Sequence, residues 1–267
     1  MRQSIVTLLL AVIVSQQGFA QIDASDSPEA RGLEIAEEVD RRDQGFGDSV
    51  TEIVMRLVSD DGRVNERRLT WMILENTDPN DGDESLTIFH EPRDIAGTAF
   101  LTHTHIEQED DQWLYLPALK RVKRIASVNK TSSFMGSELA YEDLLSDEVA
   151  KFDYRWLGDE ACGADQCFML ERRPRYEDSG YSRQVLTIDQ AEYRVHRIEY
   201  YDLDGALQKT LTLTDYRLYL DRYWRAHDYL MENHQTNKRT ELSFGPYEFH
   251  TGLTEQDFDP SALRRLR

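Results

Sequence analysis

From Ser49 to Phe249 one pattern recurs: apolar side chains fall on every second residue, and clusters of turn formers break the pattern into short runs. Ile53, Met55 and Leu57 alternate with Glu52, Val54 and Arg56, and Leu207, Leu211 and Leu213 alternate with Thr210, Thr212 and Thr214. A β-strand sends successive side chains to opposite faces, so this period reads as half-buried antiparallel strands. Others are expected near 67–75, 85–90, 97–105, 112–116, 152–157, 166–172, 182–189, 193–202, 222–232 and 239–249. Asp60-Asp61-Gly62, Asn76 to Gly82, Asp189-Gln190 and Asp204-Gly205 supply the turn chemistry between them. The sum is a mainly β meander of about eleven strands, without helical crossovers. A sheet that long closes or curls, and a barrel of that girth encloses more room than its own side chains fill, so a cavity is expected.

One helix precedes the strands. Ser27 is placed to cap it, Pro28 occupies the first turn, and Leu33, Ile35, Ala36 and Val39 form its apolar stripe until Gln44-Gly45-Phe46-Gly47 stops it. That stripe must cover something, and the mouth of the barrel is the expected place.

Residues 1–20 read as a cleavable secretory signal: Arg2 is the charged start, Ile5 to Val14 the apolar stretch, and Gly18-Phe19-Ala20 the small-residue end. A membrane-spanning helix needs roughly 20 apolar residues, so this run is too short to span. The expected mature protein is a single domain over 21–267 in the periplasm. No cysteine follows the cleavage point to carry a lipid anchor, so it is expected to diffuse freely. Its 50 acidic and 31 basic side chains give a formal charge of -19. That balance argues against nucleic acid and anionic membrane surfaces as partners, because both repel it. Cys162 and Cys167, separated by a short glycine-containing stretch, suit a structural disulfide across a hairpin in an oxidising compartment.

One segment differs from the rest. Asp111-Gln-Trp-Leu-Tyr-Leu-Pro-Ala-Leu119 begins as a strand apolar on both faces, and Pro117 turns it. Lys120, Arg121, Lys123 and Arg124 then put four cations into five positions, followed by an apolar loop at Phe134-Met135-Gly136-Ser137 and by Tyr141-Glu-Asp-Leu144. Together with Arg93-Asp-Ile-Ala-Gly-Thr-Ala-Phe-Leu101, these words make the chain similar to outer-membrane lipoprotein-sorting proteins, relatives of the periplasmic chaperone LolA. The resemblance runs over nearly the whole chain. It implies a LolA/LolB-like incomplete antiparallel barrel around an apolar cavity with a helical lid. It also implies a periplasmic carrier of a lipid or lipoprotein acyl chain, working with an RND-type exporter or an outer-membrane receptor; a monomer is expected.

Alternation nominates Ile53, Met55, Leu57, Leu69, Trp71, Ile73, Phe100, Leu114, Leu116, Leu211 and Leu213 as cavity lining, although the same pattern fits a packed core. Lys120, Arg121, Lys123 and Arg124, with Phe134 and Met135 nearby, are candidates for contact with a lipid headgroup or an acidic partner. The alternative for the cations is a solvated strand paired with the acids at 107–111 across a hairpin.

Enzyme chemistry finds little to work with. His103 and His105 share a strand face that Glu107 continues, but no further ligand is identifiable for zinc. There is no Gly-x-Ser-x-Gly elbow and no phosphate loop, and the acids at 142–143 and 147–148 are adjacent, which in a strand points them to opposite faces and in a turn leaves both wet. The expectation is a protein that is not an enzyme and takes no metal or cofactor. A second expectation, from the aromatics at Tyr193, Tyr200, Tyr201, Tyr216, Tyr219, Tyr223 and Trp224, is an adhesin-like or scaffold protein of the envelope that uses the same barrel to bind another protein.

Overall fold

The computed structural model describes residues 27–76, 78, 81–106 and 108–265. The expected signal at 1–20 and Glu107 lie outside them. Helix α1 spans Pro28–Asp43, capped as its sequence predicts: the Ser27 hydroxyl accepts from the Ala30 amide at 3.0 Å. Its face carries Gly32, Ile35 and Ala36 inward. Gly32 is there for a steric reason, since a β-carbon at that position would lie 2.8 Å from the backbone nitrogens of Arg155 and Trp156.

Alternation turns into fourteen strands among the described residues: β1 (Asp48–Val58), β2 (Val64–Leu74), β3 (Asp81–Glu91), β4 (Ala99–His105), β5 (Asp111–Leu116), β6 (Arg121–Arg124), β7 (Phe152–Cys162), β8 (Asp165–Pro174), β9 (Arg183–Asp189), β10 (Val195–Tyr201), β11 (Leu207–Tyr219), β12 (Tyr223–Asn233), β13 (Lys238–Phe244) and β14 (Glu248–Phe249). The twelve runs named from sequence become fourteen strands because β6 has too few residues to show a period and the expected strand 239–249 is broken into β13 and β14. All belong to one antiparallel sheet in the order β6-β5-β4-β3-β2-β1-β13-β12-β11-β10-β9-β8-β7, with β14 beside β1. The β1–β13 ladder, which pairs Ile53 with Phe244 and Met55 with Leu242, welds the two halves of the meander together. The sheet's two edges, β6 and β7, are neighbours in sequence and do not pair, so the barrel is incomplete along that seam. Cys162 and Cys167 are bonded across the β7–β8 hairpin.

Residues 125–151 link the two edges. This stretch crosses the concave face and is pinned to strands on both sides of the seam. Arg67 of β2 donates to the Met135 carbonyl at 2.7 Å, and the Thr240 hydroxyl of β13 accepts from the Glu138 amide at 2.9 Å. Gln112 of β5 donates to the Tyr141 carbonyl at 2.9 Å, and Lys209 of β11 donates to Asp143 at 2.5 Å. A second, smaller core lies on the opposite face, where Phe258 and Leu263 cover Leu86, Ala99, Leu101 and Tyr115. That explains why β5 is apolar on both faces: Leu114 faces the main core and Tyr115 the outer one.

Candidate functional site

The concave face is divided lengthwise. At one end the 125–151 connection fills it: Phe134 is fully buried, with ring centres 5.1 Å from Phe100, 5.6 Å from Tyr141 and 5.9 Å from Phe89. The Tyr141-Glu142-Asp143 triplet locks this plug. Glu142 accepts from the Gly180 amide at 2.9 Å and the Ser179 hydroxyl at 3.0 Å, and Asp143 accepts from Tyr181 at 2.7 Å. Burial, helped by the neighbouring Asp143 charge, pushes the Glu142 carboxyl up to about 7.

At the other end lies a hollow of about 820 Å³ between the sheet, α1 and residues 142–152. Its wall takes Ile53, Met55, Leu69, Trp71 and Ile73 from β1 and β2, Leu170, Leu186 and Ile198 from β8 to β10, and Leu211, Leu213, Ala226, Tyr229 and Phe244 from β11 to β13. The helix contributes Ala36 and Val39. Exposed members of the lining, Arg41, Asp43, Asp147, Glu192, Asp221 and Arg222, mark the mouth.

Polar groups interrupt this apolar wall repeatedly, among them Asp40, Asp83, Thr87, Glu148, Lys151 and Gln184. Tyr154, Tyr176 and Tyr200 have their phenols held well above the ordinary range by burial, and Tyr229 is pushed up to about 12 by the same cause. Burial, only partly offset by a hydrogen bond from the Asn76 amide, pushes Asp83 up to about 7. Arg172 is a buried cation and Arg225 a largely buried one, paired with Asp147 and Asp43 respectively.

Of the residues nominated from sequence, Ile53, Met55, Leu69, Trp71, Ile73, Phe100, Leu211, Leu213 and Phe134 border the hollow. Leu57, Leu114 and Leu116 do not, which corrects their assignment as lining. Leu114 is buried in the core, and Leu57 and Leu116 pack half-buried against it. Leu57 lies beyond Met55 toward the plugged end, and the other two sit on β5, next to the open edge. Lys120, Arg121, Lys123 and Arg124 are exposed on and beside β6, and none of them borders the hollow or its mouth. Arg124 pairs with Asp111 across the hairpin. Met135 is half-buried on the plug and also off the hollow.

His103 and His105 are placed by the outer face. His103 Nε2 lies 2.8 Å from the Phe258 carbonyl, and His105 Nδ1 lies 2.5 Å from Asp81. Among the described residues no group of three or more His, Cys, Asp or Glu is arranged to hold a metal ion. Sequence reasoning missed the β8–β10 wall and Arg172 in particular. The signal was present, since Arg172 falls on the apolar phase of Phe168 and Leu170.

A family model described only as an uncharacterized protein matches residues 81–265. The crystal structure of a DUF1329 family protein from Desulfovibrio piger is 31% identical, covers 89% of this chain and 99% of its own, and superposes with a TM-score of 0.83. The chain belongs to the DUF1329 family. A domain from Vibrio parahaemolyticus, provisionally named an outer membrane lipoprotein-sorting protein, is 51% identical with a TM-score of 0.86, over 88% of this chain and 99% of that one. A LolA superfamily protein from Nitrosomonas europaea, 18% identical with a TM-score of 0.68 over 85% and 97%, shares the fold. This DUF1329 chain therefore has the LolA-like unclosed barrel that its motif words imply. No curated protein matches it. No helix among the described residues is long and apolar enough to cross a membrane.

Proposed function

We propose that this chain is a non-enzymatic periplasmic carrier that shelters the acyl portion of a lipid or lipoprotein. The observation that carries the reading is the 820 Å³ hollow with aliphatic and aromatic walls from both halves of the sheet. Its size lies within the roughly 300–1,000 Å³ of sites that enclose small molecules. Each methylene moved out of water is worth about 0.8 kcal/mol, so an acyl chain crossing an aqueous compartment needs such a container. The leader-like start, the disulfide and the provisional name of the Vibrio relative support the compartment and the cargo class.

A diffusible carrier needs a donor and an acceptor, and we assign these to an RND-type exporter or an outer-membrane receptor. Crosslinking in intact cells tests that assignment. The carrier reading is tested by organic extraction and mass spectrometry of protein purified without detergent. Near-stoichiometric lipid is expected. Protein that carries none, and that takes up no long-chain alcohol after purification, overturns the reading and favours an envelope interaction protein.

A further inference from the structure

Two cations that wall the hollow, Arg172 and Arg225, are paired with exposed carboxylates, and Arg172 is the more deeply buried of the two. Its side chain is only 7% exposed, yet the carboxylate it pairs with, Asp147 at 2.9 Å, is 62% exposed and lies on a stretch without regular structure. Withdrawing a cation from water costs several kcal/mol unless its partners are fixed around it. The fixed neighbours here are neutral: the Gln184 side-chain oxygen accepts from Nε at 2.7 Å, and the Phe152 ring lies 4.4 Å from the guanidinium carbon. The one carboxylate paired with it among the described residues therefore sits mostly in water, at the mouth, where an incoming anion can take its place. A guanidinium fork matches the paired oxygens of a carboxylate or phosphate, and it does so best out of water.

We propose that Arg172 anchors an anionic headgroup, so that the cargo is an amphiphile with one acidic end. A fatty carboxylate or a phosphate ester displaces Asp147 from the guanidinium while its tail runs along Leu170, Leu186 and Leu211. This inference rests on the carrier reading and narrows it to a ligand class.

The test uses full-length protein stripped of lipid, with palmitate, hexadecyl phosphate and hexadecanol as probes that share one tail length. Hydrogen bonds to a charged group imply that palmitate, hexadecyl phosphate or both bind the wild type about 10-fold or more tighter than the alcohol. Arg172→Gln brings that ratio toward one, and Asp147→Asn, on the exposed side of the pair, raises it. The preferred anion separates a fatty acid from a phosphoryl lipid. Alcohol bound as tightly as both anions by the wild type overturns the inference while leaving the carrier intact, and needs no variant to fold. A ratio unmoved by Arg172→Gln or lowered by Asp147→Asn also overturns it. Failure to bind any of the three overturns the carrier reading itself.

Discussion

The two ends of the concave face are walled by the same strands and end up in opposite states. On β2, Arg67 bonds to the plug, whereas Trp71 and Ile73 border the hollow. On β12, Asn233 donates to Glu138 of the plug at 2.7 Å, whereas Ala226 lies on the cavity wall. On β11, Lys209 holds Asp143, and Leu213 faces empty space. The strands do not differ between the ends. What differs is the 125–151 connection, whose Phe134 and Tyr141 fill one end and stop there. In this fold the strands set which side chains point inward, and one irregular connection sets whether they meet a partner.

Removing the plug's aromatic should erase the contrast. Phe134→Ala opens the filled end into the hollow, and truncating a buried Phe costs about 3–5 kcal/mol. For a chain of this size that is a fall in Tm on the order of 10 °C, measured by thermal unfolding. An unchanged Tm would mean that the plug is not part of the core.

Acid titration separates the ends by a different route. Folding lifts Glu142 from its ordinary 4.5 to about 7 by burial and the Asp143 charge. A group so shifted holds its proton more tightly in the folded chain, so its contribution is complete below about 4.5 and is lost as pH climbs through about 7. The loss is on the order of 3 kcal/mol. Chemical denaturation between pH 4.5 and 8 should show stability falling, and Glu142→Gln should flatten the slope. Asp83, raised to about 7 on the hollow side, acts with the same sign and leaves a residual slope in that variant.

A matched pair of enlargements compares filled and empty space directly. Leu114→Trp overpacks a core position and should cost about 1–3 kcal/mol. Leu213→Trp, which has the cavity to expand into, should cost less and lower the lipid recovered by extraction. Equal costs would argue that the hollow closes up in solution. The smallest effect belongs outside both ends: Arg124→Ala breaks an exposed pair with Asp111 and should change stability by less than about 1 kcal/mol.

The parts legible in the sequence are those where period two is long and its polar phase clean. In β11, Leu211 and Leu213 stand among threonines, and in β1 Ile53 and Met55 keep the period despite Val54, so all four could be placed inward from sequence. The helix start was equally plain, because Ser27 and Pro28 carry their own geometry. The four-residue β6 was not, being too short for a period and mostly charged. The outer cover was invisible as well: residues 255–258 and 262–265 form short 3-10 turns, and nothing local marks Phe258 and Leu263 as buried. Arg172 was passed over because a cation on an apolar phase looks like an interruption of the pattern. The hollow could be expected but not located, since alternation names a face and leaves open whether anything lies against it.

Because the unpaired edges β6 and β7 follow one another along the chain, the slit in the barrel and the segment that stoppers it share one stretch of residues. Lengthening or trimming 125–151 therefore leaves every rung of the sheet's hydrogen bonding in place. A different insert there would keep the same shell and leave a hollow of another volume.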